Sequence, residues 1–151
     1  MHCFSFDIET VPDVEFGRQL LELDGLSDKD VATAMTFKRQ QAVGHDFLPL
    51  HQHRIVAISV TFRTADTFKV WSLGDEQSDE AELVQRFFDG VDRYTPDLIS
   101  WNGGGFDLPV LHYRALKHGI QAPRLVAWLE QRSGWSSRAS GLRRTSCWDR
   151  F

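Results

Sequence analysis

His2-Cys3-Phe4-Ser5-Phe6-Asp7-Ile8-Glu9-Thr10 opens the chain, and Trp101-Asn102-Gly103-Gly104-Gly105-Phe106-Asp107-Leu108-Pro109 follows much later. In the first stretch Phe4, Phe6 and Ile8 alternate with Ser5, Asp7 and Glu9, the period of two of a strand with one buried face. Asp7 and Glu9 therefore point the same way. One strand repeat separates them by about 6 to 7 Å at Cα. Their oxygens can converge on metals about 3.5 to 4 Å apart. Hard oxygen donors select Mg²⁺ or Mn²⁺ over zinc. An isolated Asp-x-Glu more often just ends a solvated strand, so the reading needs a second motif.

The second stretch supplies one. Asp97 to Trp101 is a short apolar run after Pro96, and Leu108, Leu111, Ala115 and Leu116 fall at roughly helical spacing. Asn102 to Gly105 thus reads as a strand-to-helix turn, with Asp107 at the start of the helix. An acid there is an ordinary capping and dipole device. Capping does not explain three glycines, which let a backbone approach a ligand closely or take positive φ. A phosphate-cradling nucleotide loop is set aside, because neither G-x-G-x-x-G nor G-K-[S/T] spacing is present.

With Asp-Ile-Glu-Thr as motif I, and Asn102 separated by three residues from Phe106-Asp107-Leu108-Pro109 with Leu111, Arg114 and Ala115 beyond, the chain resembles the 3′-5′ exonuclease domain of B-family DNA polymerases. It resembles more closely the free-standing bacterial proteins described as predicted 3′-5′ exonucleases related to that domain, of the DEDD superfamily. Phe47-Leu48-Pro49 leading into His53-Arg54-Ile55-Val56-Ala57-Ile58-Ser59 adds to the likeness, which covers about residues 3 to 123. The resemblance implies an α/β, ribonuclease H-like mixed sheet flanked by helices; the chain's departure from the family pattern near its C-terminal end leaves open a truncation after the motif II helix. It also implies a metal-dependent exonuclease that hydrolyses phosphodiester bonds from the 3′ end of DNA and releases nucleoside monophosphates by a two-metal mechanism. Asp7, Glu9 and Asp107 would be the catalytic metal ligands for two ions of Mg²⁺ or Mn²⁺. Thr10 would contact the terminal nucleotide, Phe106 would pack beside its base or sugar, and Asn102 would bind or orient near the scissile end. Single-stranded DNA or frayed 3′ ends would be the partner. Phe106 could equally be a core residue, and Asn-Gly is ordinary turn chemistry.

The superfamily also uses a fourth carboxylate, in a Tyr-x-x-x-Asp or His-x-x-x-x-Asp motif. Here no Tyr follows Tyr113, no His follows His118, and the acids after Asp107 are Glu130 and Asp149. A catalytically impaired nucleic-acid-binding fragment is therefore the alternative function. Composition changes in the same region: residues 124–151 carry six Arg, no Lys, two acids and three of the five Trp, a formal +4 against −8 for residues 1–123. The exonuclease-like domain is accordingly set at 1–123, with a helical insertion over about 13–53, and 124–151 is set apart. Three accounts of that segment stay open: a basic arm for phosphates, a shift of reading frame near Pro123, or a divergent end in which Glu130 or Asp149 supplies the missing ligand. The second is favoured, because Gly, Ser and Arg without periodicity point to a segment lacking a fold of its own.

The remaining features bound the answer. At 151 residues, with 42% hydrophobic and 12% aromatic content, the chain suits one domain with a real core. The net charge of −4 is no sign of a general nucleic-acid coat, and it allows an acidic metal site. Cys3 and Cys147 are no disulfide framework, and Cys3 reads as a buried thiol. A cytoplasmic location is expected, with no membrane span and no signal-like core before Asp7. A helix after Pro12 with Phe16, Leu20 and Leu23 on one face should precede a second helix, opened by Ser27 to Asp30 and running to about Val43. Ile55 to Arg63 and Thr67 to Trp71 read as a hairpin. Ser78 should start a helix that buries Leu83, Val84, Phe87, Phe88 and Val91, and Gly119 should stop the last one. His45, His51 and His53 make a poor zinc set, and His53-Arg54 could border a nucleic-acid groove.

Overall fold

The computed structural model describes residues 2–132. Strand β1 (Cys3–Pro12) is followed by helices α1 (Val14–Leu21) and α2 (Asp28–Val43) and a 3-10 turn at Leu50–Gln52. Then come β2 (His53–Arg63), β3 (Phe68–Ser72), α3 (Glu80–Tyr94), β4 (Asp97–Ile99), α4 (Leu108–His118) and α5 (Pro123–Arg132). The strands form one mixed sheet in the order β3-β2-β1-β4, with β1 antiparallel to β2 and parallel to β4. This α/β arrangement is ribonuclease H-like.

Alternation in β1 works as its sequence dictates: Phe4, Phe6 and Ile8 are buried, and Asp7 and Glu9 are exposed. In β2 the buried residues are Ile55, Ile58 and Val60, a phase slip that strict alternation forbids. The register explains it. Glu9 faces Ala57 and Thr10 faces Ile55, which leaves Val56 as the extra residue of a β-bulge. The slip restores Ile55 to the core just where the strand leaves the site.

One face of the sheet is covered by α3 and α4. Asp79 caps α3 by accepting the Glu82 N–H at 2.8 Å, one residue beyond the expected Ser78, and Leu83, Val84, Phe87, Phe88 and Val91 are all buried. Phe87 lies 4.9 Å from Phe6 and 5.8 Å from Phe4 between ring centroids, so α3 locks directly onto β1. Truncating such a ring costs about 3 to 5 kcal/mol. On α4, Leu108, Leu111 and Ala115 face inward, but Leu116 is 64% exposed, one step off the covered stripe. Gly119 ends α4 at φ 67°, a conformation that glycine adopts without a Cβ penalty.

The insertion between β1 and β2 builds a satellite core of Val31, Met35 and Leu48. Ser27 accepts the Asp30 N–H to start α2 as expected. The inward face of α1 differs in part from expectation: Leu23, just past the helix, packs on this core as expected, but Val14, Gly17 and Leu21 face α2, and Leu20 is 53% exposed. A Cβ on Gly17 would lie 2.2 Å from Met35 Sδ, so the small residue sets how closely the two helices approach.

Ala122 and Leu125 join the main core at the start of α5, so the segment set apart at residue 124 begins as helix. Cys147 and Asp149, and most of the Arg/Trp-rich segment, lie outside the described residues. Cys3 is half-buried rather than buried. No helix among the described residues is long and apolar enough to cross a membrane.

Candidate active site

Asp7, Ile8, Phe47, Trp101, Asn102, Phe106 and Asp107 line an open cleft of about 240 Å³. Motif I and motif II, far apart in sequence, meet there because β1 and β4 are adjacent parallel strands and the chain leaves β4 directly into the turn before α4.

The turn is a single π-helical loop over Gly103–Asp107. The N–H groups of Gly105 and Phe106 both donate to the Asn102 carbonyl, at 3.0 and 2.8 Å. None of these glycines takes positive φ. Gly103 and Gly105 are needed for close approach instead: a Cβ on Gly105 would sit 2.4 Å from Asn102 Oδ1, and one on Gly103 would sit 3.1 Å from Ser100 Cβ.

Asp107 is 3% exposed and stands at the N-cap of α4, yet its side chain makes no capping hydrogen bond. Ser100 donates its hydroxyl to Asp107 Oδ2 at 2.7 Å. The capping explanation of this acid is thereby removed. Asp7 and Glu9 are exposed on the same face of β1, but Glu9 and Thr10 are not part of the cleft lining. Among the described residues no three His, Cys, Asp or Glu side chains come together as a metal cluster. Glu130 lies on α5, whose side chains from residue 128 onward are outside the described ones.

One wall of the cleft is aromatic. Phe106 is half-buried and packs 5.7 Å from Phe47 and 5.1 Å from His53 between ring centroids. His53 Nδ1 lies 3.0 Å from Thr10 Oγ1, and its Nε2 lies 3.2 Å from the Leu48 carbonyl. Trp101 is 89% exposed at the cleft rim. Sequence reasoning gave Phe47, Trp101 and Ser100 no role and left His53 open. Trp101 could have been suspected as a large apolar residue beside Asn102, whereas the serine has no signature of its own.

Behind the cleft, Arg114 is 2% exposed and ties three elements together. Its Nη1 donates to Asp13 at 2.6 Å and its Nε to Glu80 Oε1 at 2.7 Å; Glu80 Oε1 also accepts the Ile55 N–H at 2.6 Å, beside the β2 bulge. Lys117 adds a second cation to Asp13 at 2.8 Å, and His118 Nε2 lies 2.9 Å from Glu80 Oε2. Burial alone would raise the Asp13 carboxyl pKa. Hydrogen bonds from Lys117, Arg114 and the Phe16 N–H outweigh it and hold the pKa below the ordinary value. No buried side-chain polar atom among the described residues lacks a partner.

A ribonuclease H-like sheet whose central strand and neighbouring helix start bring carboxylates to one cleft defines a nuclease-like class. The chain belongs to the family described as predicted 3′-5′ exonucleases related to the exonuclease domain of PolB, whose model matches residues 45–147. That range includes His53, Asn102, Phe106 and Asp107 and begins after Asp7, Glu9 and Thr10. A 38-residue stretch is 50% identical to DNA polymerase 1 of Sulfurisphaera ohwakuensis; it is 25% of this chain and only 4% of that polymerase's length.

Proposed function

We propose that the chain is a divalent-metal-dependent exonuclease that hydrolyses the terminal phosphodiester bond at the 3′ end of DNA, single-stranded or frayed, and releases nucleoside monophosphates. The observation that carries this reading is that Asp7 and Asp107 line one cleft, with Asp107 held by Ser100 instead of capping its helix. The donors fit a hard cation, since they are carboxylate oxygens without sulfur or nitrogen partners. Asp7 and Asp107 would hold Mg²⁺ or Mn²⁺, and Glu9, on the same face of β1, would serve a second ion. When bound, such cations supply charge neutralisation at the phosphate and a more acidic water.

The chain's own residues would do the positioning. Phe106, backed by Phe47, offers a ring face to the terminal base or sugar; Asn102 orients the group next to the scissile bond; Thr10 meets the terminal nucleotide from β1. Stacking and backbone contacts do not read base identity, so sequence preference should be weak. The test is degradation of a 5′-labelled single-stranded oligonucleotide in Mn²⁺ with an EDTA control. A ladder shortening from the 3′ end is expected, and intact substrate with folded protein refutes the reading.

A second reading, nucleic-acid binding without hydrolysis, is favoured by one observation: of the three candidate acids Asp7 and Asp107 line the cleft and Glu9 does not. Retained oligonucleotide binding without a ladder would support it.

A further inference from the structure

His53 makes contacts that neither motif accounts for. It stands half-buried at the start of β2, with Nδ1 3.0 Å from Thr10 Oγ1 and Nε2 3.2 Å from the Leu48 carbonyl oxygen. Its ring meets Phe106 edge-on at 5.1 Å and tilts against Phe47 at 5.3 Å. The partners fix the tautomer. A carbonyl oxygen only accepts, so Nε2 must carry a proton; in a neutral imidazole Nδ1 then has a lone pair and accepts from the Thr10 hydroxyl. Burial lowers the imidazole pKa from its ordinary value, although the Leu48 hydrogen bond opposes this, and so favours the neutral ring. Thr10 has a single hydroxyl proton. Once that proton is given to His53, the oxygen can only accept from any other group that reaches it.

We propose that His53 is a positioning residue of the cleft: as the Nε2–H tautomer it ties the end of β1, the Phe47–Leu48 loop and Phe106 into one wall, and it presents Thr10 as a hydrogen-bond acceptor to the terminal sugar hydroxyl of a nucleic acid. The second half rests on the exonuclease reading, and the first does not. It follows that a 3′-hydroxyl end, which can donate, suits this site, and a 3′-phosphate end does not.

Two measurements on the full chain separate the halves. ¹⁵N-resolved NMR of the imidazole, assigned against His53→Gln, is expected to report the neutral Nε2–H tautomer at pH 7. The Nδ1–H tautomer or an imidazolium overturns the proposal, whether or not the protein is a nuclease. Binding of oligonucleotides ending in a 3′-hydroxyl or a 3′-phosphate is then compared in Ca²⁺. Wild type is expected to prefer the hydroxyl end by about tenfold, the worth of one well-matched hydrogen bond. His53→Asn puts a side-chain oxygen in the place of Nδ1 and should keep that preference, whereas His53→Gln retains only the Leu48 partner and should lose it. An equal preference in all three proteins overturns the role given to Thr10. Failure of wild type to bind either end overturns that role together with the exonuclease reading, and the tautomer still decides the wall.

Discussion

Ser100 and Asp107 are joined by a 2.7 Å hydrogen bond across the motif II turn, so the carboxylate at the start of α4 is held from the strand side of the turn and not by its own helix. An acid that could have been a cap is instead held in the cleft that Asp7 also lines.

Asp7→Ala and Asp107→Asn should each reduce Mn²⁺-dependent hydrolysis to background, with the far-UV circular dichroism spectrum unchanged. EDTA should do the same to the wild-type protein without unfolding it, because the core of Phe4, Phe6, Ile8 and Phe87 is built without the acids. Hydrolysis retained in either variant would remove that acid from the site.

Ser100→Ala leaves both acids in place and removes only the donor that orients Asp107. Loss of such a supporting hydrogen bond typically costs about 10- to 100-fold in activity or metal affinity. The expected result is a fall of that order in kcat/KM, with a stability change of about 1 kcal/mol. Full activity would mean that the hydroxyl does not set the carboxylate.

Gly105 and Gly119 make opposite predictions. Gly119→Ala forces a Cβ into φ 67° in open space, so it should lower stability by about 1 to 2 kcal/mol and spare activity. Gly105→Ala meets no positive φ but drives a Cβ to 2.4 Å from Asn102 Oδ1. The Asn102 amide must swing away, so activity should fall with a smaller change in the melting temperature. Kinetics and thermal melts on the two variants give the comparison.

Arg114→Ala removes the guanidinium shared by buried Asp13 and half-buried Glu80, leaving them Lys117 and His118, and should destabilise the fold by about 3 kcal/mol. The wild-type protein carries the matching pH signature. Because the folded-state pKa of Asp13 is lowered from 3.8, its contribution is complete above that value and is lost as pH falls through the folded pKa. His53 acts in a higher window. Its folded pKa is lowered from 6.5, so below about that pH the unfolded chain binds the extra proton and stability declines until the folded pKa is reached. Denaturant midpoints measured from pH 7 downward should therefore drop in two stages, and His53→Asn should remove the upper one.

What the sequence by itself determined is local. The alternation of Phe4, Phe6 and Ile8 with Asp7 and Glu9, the five buried positions of α3, the Ser27 and Gly119 helix ends and the order of elements were all legible, because backbone periodicity and capping depend on near neighbours. The family was legible by resemblance. Phase was harder: Gly17 replaced the face of Phe16 and Leu20 because only the approach of Met35 from α2 decides which side of α1 is inward. Tertiary structure alone decided the Val56 bulge, the burial of Arg114 against Asp13, and the meeting of His53 with Thr10 and of Phe47 with Phe106. These pairs lie 43 to 101 residues apart, and no local periodicity carries information over that distance. They are set by how the sheet closes, which aligns β1 with β2 on one side and β4 on the other and so chooses which distant side chains share a wall.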